Sequence, residues 1–149
     1  MKYGKKIKRF CGLFMLSALS LAISACRKNE SAGEEKVDST IMAATLGNGD
    51  VLPYFGREDI PQAAAVIMQY TGYSTVSEKD APTYVCVGTS DGIASWRTMQ
   101  SRLQSLDAIG IPTEFHSYEG LPHGFGLGTG TVAEGWINDA VYFWEEQCK

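Results

Sequence analysis

The chain has 149 residues, of which 44% are hydrophobic and 20% are charged. This length suits one domain, and the apolar fraction is typical of a folded core and excludes a disordered chain. The 13 basic and 17 acidic residues give a net charge of −4. The basic residues form no patch beyond the N-terminal segment, which argues against nucleic acid as a partner.

The first 25 residues have the pattern of an export signal. Five basic residues precede Cys11, and an apolar run of 15 residues extends from Cys11 to Ala25. This run has the length of a signal peptide and is short for a bilayer span of about 20 residues. We therefore interpret residues 1–25 as a signal peptide. The basic residues are Lys2, Lys5, Lys6, Lys8 and Arg9.

The apolar run ends in Ile23-Ser24-Ala25-Cys26. This ending resembles the lipobox of bacterial lipoproteins, in which the cysteine is diacylated and becomes the mature N-terminus. The resemblance implies export to the bacterial cell envelope and anchoring to a membrane through lipidated Cys26, because two acyl chains give stable anchoring. An ordinary secretory signal followed by a chance cysteine is the alternative.

The segment after the leader is polar, and we expect residues 26–38 to form a flexible tether. Removing the leader takes away 5 of the 13 basic residues and no acidic one. The remaining chain has 8 basic and 17 acidic residues, which gives a net charge of −9. Residues 39–149 form the predicted folded part.

The first elements of the folded part are a helix and a strand. Residues 39–46 predict a short helix, and residues 48–59 predict a loop rich in glycine, aspartate and proline. Residues 63–70 form a continuous apolar run of strand length. Such a run fits a strand that is buried on both faces in a parallel sheet, and a helix is the alternative.

The second half alternates strands and helices. Residues 83–87 predict a strand, residues 95–109 an amphipathic helix, and residues 113–118 a further strand. A glycine-rich loop follows at 120–130. A capping box, Thr-Val-Ala-Glu at 131–134, predicts the start of the last helix. The strand–helix–strand unit implies a right-handed crossover, so the sequence predicts an α/β fold with about three parallel strands and flanking helices.

Two of the four cysteines lie in the predicted domain. Cys86 falls within a strand, and Cys148 is one residue from the C-terminus. The spacing leaves a disulfide between them open. A buried thiol and a separate terminal thiol are the favoured interpretation.

Asp91 and His123 form the candidate catalytic pair. Asp91 lies four residues past Val87, and His123 lies five residues past Tyr118. Functional groups of an open parallel sheet collect beyond the carboxyl ends of its strands. A carboxylate bonded to an imidazole fixes the tautomer of the ring and allows it to act as a general base. Individually, Asp91 also fits a turn and His123 an exposed loop.

Ser90 is a candidate nucleophile, because residues 88–92 spell Gly-Thr-Ser-Asp-Gly between a strand and a helix. Chain order argues against it. In hydrolases whose serine lies on such a turn, the catalytic acid follows the serine and precedes the histidine in the chain. Asp107 lies in this interval, but it is at the far end of the predicted helix and therefore at the wrong edge of the sheet. We therefore favour Asp91 as the orienting acid over Ser90 as nucleophile. His116 falls within a strand and is expected to be a half-buried structural residue.

Four segments resemble the C-terminal end of α/β-hydrolase esterases, in particular the acetyl-esterase, lipase and dienelactone-hydrolase-like group. They lie at 82–88, 91–94, 110–112 and 118–126, and the last reads Tyr-Glu-Gly-Leu-Pro-His-Gly-Phe-Gly. In that family the acid follows the penultimate strand, and the histidine of His-Gly-Phe follows the last one. The resemblance therefore implies that Asp91 and His123 are catalytic.

The resemblance covers residues 41–147, which correspond to about the second half of such a domain. The Gly-x-Ser-x-Gly elbow of the family belongs before the helix at 42–46, where residues 36–41 read Lys-Val-Asp-Ser-Thr-Ile. The family's N-terminal strands and oxyanion-hole loop have no counterpart. With about three of the family's roughly eight strands, the sheet would have an unpaired edge and uncovered apolar faces.

These observations lead to three functional hypotheses. The first is a lipid-anchored hydrolase of serine-esterase type that acts on a small ester. The second is a truncated remnant without catalysis. The third is a surface lipoprotein whose open sheet edge pairs with a partner chain. None of the three implies a cofactor or a metal ion.

Overall fold

The computed structural model describes the backbone of residues 13–16 and all of residues 62–149. These residues form one parallel sheet in the order β1-β2-β3-β4, with two helices. The strands are β1 (Leu13–Leu16), β2 (Ala65–Gln69), β3 (Thr83–Gly88) and β4 (Thr113–Tyr118); α1 (Trp96–Ala108) lies between β3 and β4, and α2 (Trp136–Gln147) follows β4.

The predicted fold class is confirmed by β2, β3, β4 and the two helices. The three strands and α1 lie within about two residues of their predicted bounds. β1 was not predicted. It pairs in parallel with β2, from Leu13 opposite Ala65 to Leu16 opposite Met68, and it falls in the segment interpreted as a signal peptide. Cleavage before Cys26 would remove β1 and leave β2 at the edge of the sheet.

Four further sequence predictions lie outside the described residues. These are the lipidation of Cys26, the tether at 26–38, the helix at 39–46 and the loop at 48–59, and all four stay predictions. Neither helix in residues 62–149 has the length and apolar character needed to cross a bilayer.

The sheet is buried on both faces, which explains why its central strands read as apolar runs. Every residue of β2 and β3 is buried. Alternate side chains enter two separate clusters. The cluster on the α1 side contains Val66, Met68, Val85, Val87, Met99 and Leu103, and the cluster on the α2 side contains Ala65, Ile67, Tyr84, Cys86, Trp136, Ala140 and Phe143.

Helix α1 begins and ends as its sequence predicts. The Ser95 hydroxyl caps the first turn by accepting the Thr98 N–H at 3.5 Å. Gly110, with φ of 84°, ends the helix in the left-handed region that glycine adopts without strain.

One charged residue of α1, Arg102, departs from the amphipathic pattern because it is fully buried. Its Nη2 donates to Asp80 Oδ2 at 3.0 Å, and its Nε donates to the Thr75 carbonyl at 3.0 Å. Burial lowers the pKa of the guanidinium, an effect that Asp80 opposes. The ion pair therefore ties the loop between β2 and β3 to the helix.

The prediction of where the last helix begins was wrong. Helix α2 begins at Trp136, after Gly135 with φ of 94°. The left-handed conformation of Gly135 is incompatible with a right-handed α-helix, so a continuous helix cannot extend from Thr131 past this residue. The Glu134 carboxylate instead accepts the Gly130 N–H at 2.9 Å, which closes a turn before the helix.

The two cysteines of the domain are not bonded to each other. Cys86 carries a free, buried thiol, and burial raises its pKa well above the usual range. The favoured interpretation of Cys86 is thus confirmed. Cys148 is disulfide-bonded, so the prediction of a terminal free thiol was wrong.

Candidate active site

The loops that follow β3 and β4 are joined by backbone hydrogen bonds at the carboxyl edge of the sheet. The Thr89 N–H donates to the Tyr118 carbonyl at 2.9 Å, and the Ser90 N–H donates to the Leu121 carbonyl at 3.1 Å. The Thr89 hydroxyl accepts the Gly120 N–H at 2.9 Å. These bonds continue the β3–β4 ladder beyond the strands and fix one loop against the other.

Gly88 permits this close approach of the two loops. A Cβ atom at position 88 would lie 2.6 Å from the carbonyl carbon of Leu121 and 2.9 Å from its Cβ. Real Cβ atoms do not tolerate such distances from a backbone. The first glycine of the Gly-Thr-Ser-Asp-Gly motif is therefore explained by the packing between loops.

Asp91 uses its two carboxylate oxygens for two different purposes. Oδ1 accepts the N–H groups of Ile93 and Ala94, both at 2.8 Å, and so closes the turn before α1. Oδ2 lies 2.9 Å from Nδ1 of His123. The side chain is completely buried. Asp91 therefore closes the turn, as one sequence interpretation expected, and it also contacts His123.

His123 lies beyond the carboxyl end of β4 and contacts Asp91. Its Nδ1 contacts Asp91, and because an ionised carboxylate only accepts hydrogen bonds, Nδ1 is the donor. Nε2 is then the nitrogen left to exchange a proton with another group. The side chain is 28% exposed, so a second group can reach it. Within residues 62–149, no hydrogen bond engages Nε2.

The glycine-rich loop that carries His123 is anchored through one carbonyl. The Gly126 carbonyl accepts a hydrogen bond from Gln69 Nε2 at 2.6 Å and another from Trp136 Nε1 at 2.9 Å. Both donors are buried. Sequence reasoning missed this anchor. A glutamine at the end of an apolar run was the one signal that could have indicated it.

Tyr70 is a second residue that sequence reasoning missed. It follows β2 directly and has φ of 43°, and no other non-glycine in the described residues has a positive φ. For a bulky residue this left-handed conformation costs about 1–2 kcal/mol. The ring is nevertheless buried, and it packs edge-to-face against His123 with centroids 4.7 Å apart.

The structure does not bring Ser90 to His123. The Ser90 side chain is exposed, and its backbone N–H belongs to the bonds that join the two loops. In the part of the chain that the structure describes, no serine hydroxyl hydrogen-bonds to the imidazole.

His116 is half-buried, as expected, and has a different environment. Its Nε2 lies 2.6 Å from Glu114 Oε1 on the same strand, and its ring stacks on Tyr84 with centroids 5.1 Å apart. The Glu114 side chain is 37% exposed, whereas that of Asp91 has no exposure. The two histidine–carboxylate pairs therefore differ, and only the His123 pair lies beyond the strand ends.

The cysteine, histidine and acidic side chains of residues 62–149 form no cluster suited to a metal ion. Comparison with protein-family models and with curated protein sequences gave no match.

Several solved structures share the fold. One is an α/β-hydrolase enzyme from a Medee basin deep-sea metagenome library, with a TM-score of 0.56 and 18% identity over 73% of this chain and 50% of that one. Another is an acetyl ester-xyloside bifunctional hydrolase from Caldicellulosiruptor lactoaceticus, with a TM-score of 0.57 and 16% identity over 72% and 51%. A third is the carboxylesterase Cest-2923 from Lactobacillus plantarum, with a TM-score of 0.56 and 16% identity over 72% and 55%.

These similarities define the fold. The chain has a partial α/β-hydrolase fold, and it spans about half the length of the solved structures that it matches. At these identities the comparison carries no information about individual residues. The function therefore depends on the chemistry of the site and does not follow from the fold alone.

The close approach at Gly88 gives a prediction about stability. Replacing Gly88 by alanine forces the two loops apart, and we expect a loss of unfolding free energy of about 2 kcal/mol or more, as for other overpacked sites. Urea denaturation measures the loss. Gly72→Ala is the matched control, because a Cβ at position 72 meets no atom within 4 Å. Equal stability of the two variants would contradict the packing role of Gly88.

The Asp91–His123 contact gives a prediction about the imidazole tautomer. In Asp91→Asn, the amide oxygen keeps the hydrogen bonds from the Ile93 and Ala94 N–H groups, and the amide nitrogen lies next to His123 Nδ1. Because that nitrogen donates, the neutral imidazole should move its proton from Nδ1 to Nε2. Long-range ¹H–¹⁵N NMR spectra distinguish the two tautomers, and His116 is an internal reference. An unchanged His123 tautomer would show that Asp91 does not orient the ring.

Proposed function

We propose that the chain supplies the acid and the base of a serine-esterase-type hydrolase, with Asp91 as acid and His123 as base. The observation that carries this proposal is the buried Asp91 Oδ2 at 2.9 Å from His123 Nδ1, beyond the ends of two neighbouring parallel strands. The imidazole is held on one side and accessible on the other, as a general base must be.

The proposed reaction is acyl transfer from a small carboxylic ester. His123 Nε2 takes the proton of a serine hydroxyl as that oxygen attacks the ester carbonyl, and Asp91 stabilises the imidazolium. The histidine returns the proton to the leaving alcohol, which leaves an acyl-enzyme. Water, activated by the same nitrogen, then hydrolyses the acyl-enzyme. These steps use side chains alone.

The serine of this reaction belongs to a part of this chain outside residues 62–149. The acetyl-esterase, lipase and dienelactone-hydrolase-like group is the proposed subgroup, on the strength of the His-Gly-Phe-Gly segment at 123–126. Ester-cleaving enzymes among the solved structures of the same fold support this substrate class.

A non-catalytic role is the second candidate. It is favoured by the absence, within residues 62–149, of a hydroxyl bonded to His123. If no serine reaches Nε2, the Asp91–His123 pair only stabilises the contact between the two loops. The chain would then be a remnant, or a surface lipoprotein that pairs its sheet edge with another chain.

Hydrolysis of p-nitrophenyl acetate by the purified full chain distinguishes these candidates. We expect turnover that falls by about 10²-fold or more in His123→Ala, since this is the usual contribution of a general base. The matched control is His116→Ala, which replaces the other histidine of the chain and should retain turnover. No turnover by folded protein, or an equal loss in both variants, would favour the non-catalytic role.

We also propose that the protein is lipid-anchored through Cys26, on the basis of the Ile-Ser-Ala-Cys ending of the leader. On expression in a bacterium, Cys26→Ser should abolish incorporation of alkyne-labelled palmitate and remove the protein from the membrane fraction. Cys11→Ser is the matched control and should retain both properties, because position 11 lies within the leader. Unchanged labelling of Cys26→Ser would contradict the anchor.

A further inference from the structure

The carboxyl ends of three successive strands meet at the candidate site, and the proposed reaction uses only two of them. β3 leads to Asp91 and β4 leads to His123. β2 leads to Tyr70, whose N–H donates to the Cys86 carbonyl at 2.9 Å and so continues the β2–β3 pairing by one residue. The ladder thus fixes the backbone at Tyr70 relative to the strand that precedes Asp91.

The ring of Tyr70 lies between the sheet and the loop that carries His123. It belongs to the α1-side cluster with Val66 and Met68. It packs edge-to-face on His123 at 4.7 Å and on Phe125 at 5.2 Å between centroids. Burial raises the pKa of the Tyr70 phenol, and the charge of Asp91 raises it further. A backbone hydrogen bond with Gly126 has the opposite effect. The ring is therefore an uncharged, rigid surface beside the imidazole.

A single hydrogen bond does not hold an imidazole in one orientation. The bond from Nδ1 to Asp91 fixes one atom, and the ring is 28% exposed and can tilt about that atom. Edge-to-face packing between the Tyr70 ring and the imidazole restricts this motion, since the geometry of such pairs is directional. The left-handed backbone of Tyr70 supports the same conclusion. Backbone strain of this kind persists where the surrounding structure imposes it, and it is common at functional sites.

We propose that Tyr70 is a positioning residue for His123, which keeps the imidazole turned toward Asp91 and its Nε2 directed outward. The proposal rests on the proposed function for its catalytic meaning, since it deepens the description of the same site. The positioning role belongs to the aromatic ring of Tyr70 and not to its phenol hydroxyl.

The test compares Tyr70→Leu, which removes the ring, with Tyr70→Phe, which keeps it. Two measurements follow His123 directly in the full chain: the low-field NMR signal of the Nδ1 proton, and the rate of modification by diethylpyrocarbonate, located by mass spectrometry. We expect the leucine variant to lose the proton signal and to react several-fold faster at His123. The phenylalanine variant should match the wild type in both, and His116 should react at one rate in all three proteins.

Turnover of p-nitrophenyl acetate adds a third measurement. Loss of orientation should lower kcat with little change in KM in the leucine variant, and phenylalanine should restore kcat. If Tyr70→Leu does not fold, Tyr70→Asn carries the test, because asparagine tolerates the left-handed backbone while lacking the ring.

Two results would overturn the proposal: an unaltered His123 in the ring-less variants, or a phenylalanine variant that behaves like leucine. The proposed function fails separately. A wild type without turnover that still shows the ring-dependent His123 signals would retain the positioning role and contradict the catalytic one.

Discussion

The arrangement of the site depends on the hydrogen bonds that join the loops after β3 and β4. The Thr89 and Ser90 N–H groups extend the ladder onto Tyr118 and Leu121, and Gly88 leaves the space that this extension needs. With the two loops fixed against each other, an acid on one and a histidine on the other lie at hydrogen-bond distance. The general property of parallel sheets, that their carboxyl ends share one edge, thereby becomes a specific contact.

Burial gives this contact its chemical character. The Asp91 carboxylate has no exposure, yet three hydrogen bonds satisfy it: two backbone N–H groups on Oδ1 and the imidazole on Oδ2. A buried charge satisfied in this way is tolerated, and it acts on its partner through a lower dielectric than a surface charge does. The Glu114 side chain beside His116 is 37% exposed and lacks these conditions. The comparison explains why only one of the two pairs is assigned a role in catalysis.

Much of the fold could be predicted from the sequence, because it depends on local patterns. The apolar runs of β2 and β3, the amphipathic face of α1 and the turns around Asp91 and His123 all leave such patterns. The start of α2 could not be predicted, since the left-handed Gly135 overrides the capping box at 131–134. The same limit applies to Tyr70 and Gln69. Their roles arise from contacts with a loop more than 50 residues later. A glutamine at the end of an apolar run indicates at most that its amide has a partner, and neither residue type identifies that partner.

In the proposed reaction, Asp91 and His123 activate a serine. The most direct test treats the purified full chain with a fluorophosphonate probe and locates the label by peptide mass spectrometry. We expect label on one serine other than Ser90, and we expect it to be lost in His123→Ala and kept in His116→Ala. Absence of label on folded protein, or a label that persists without His123, would contradict it.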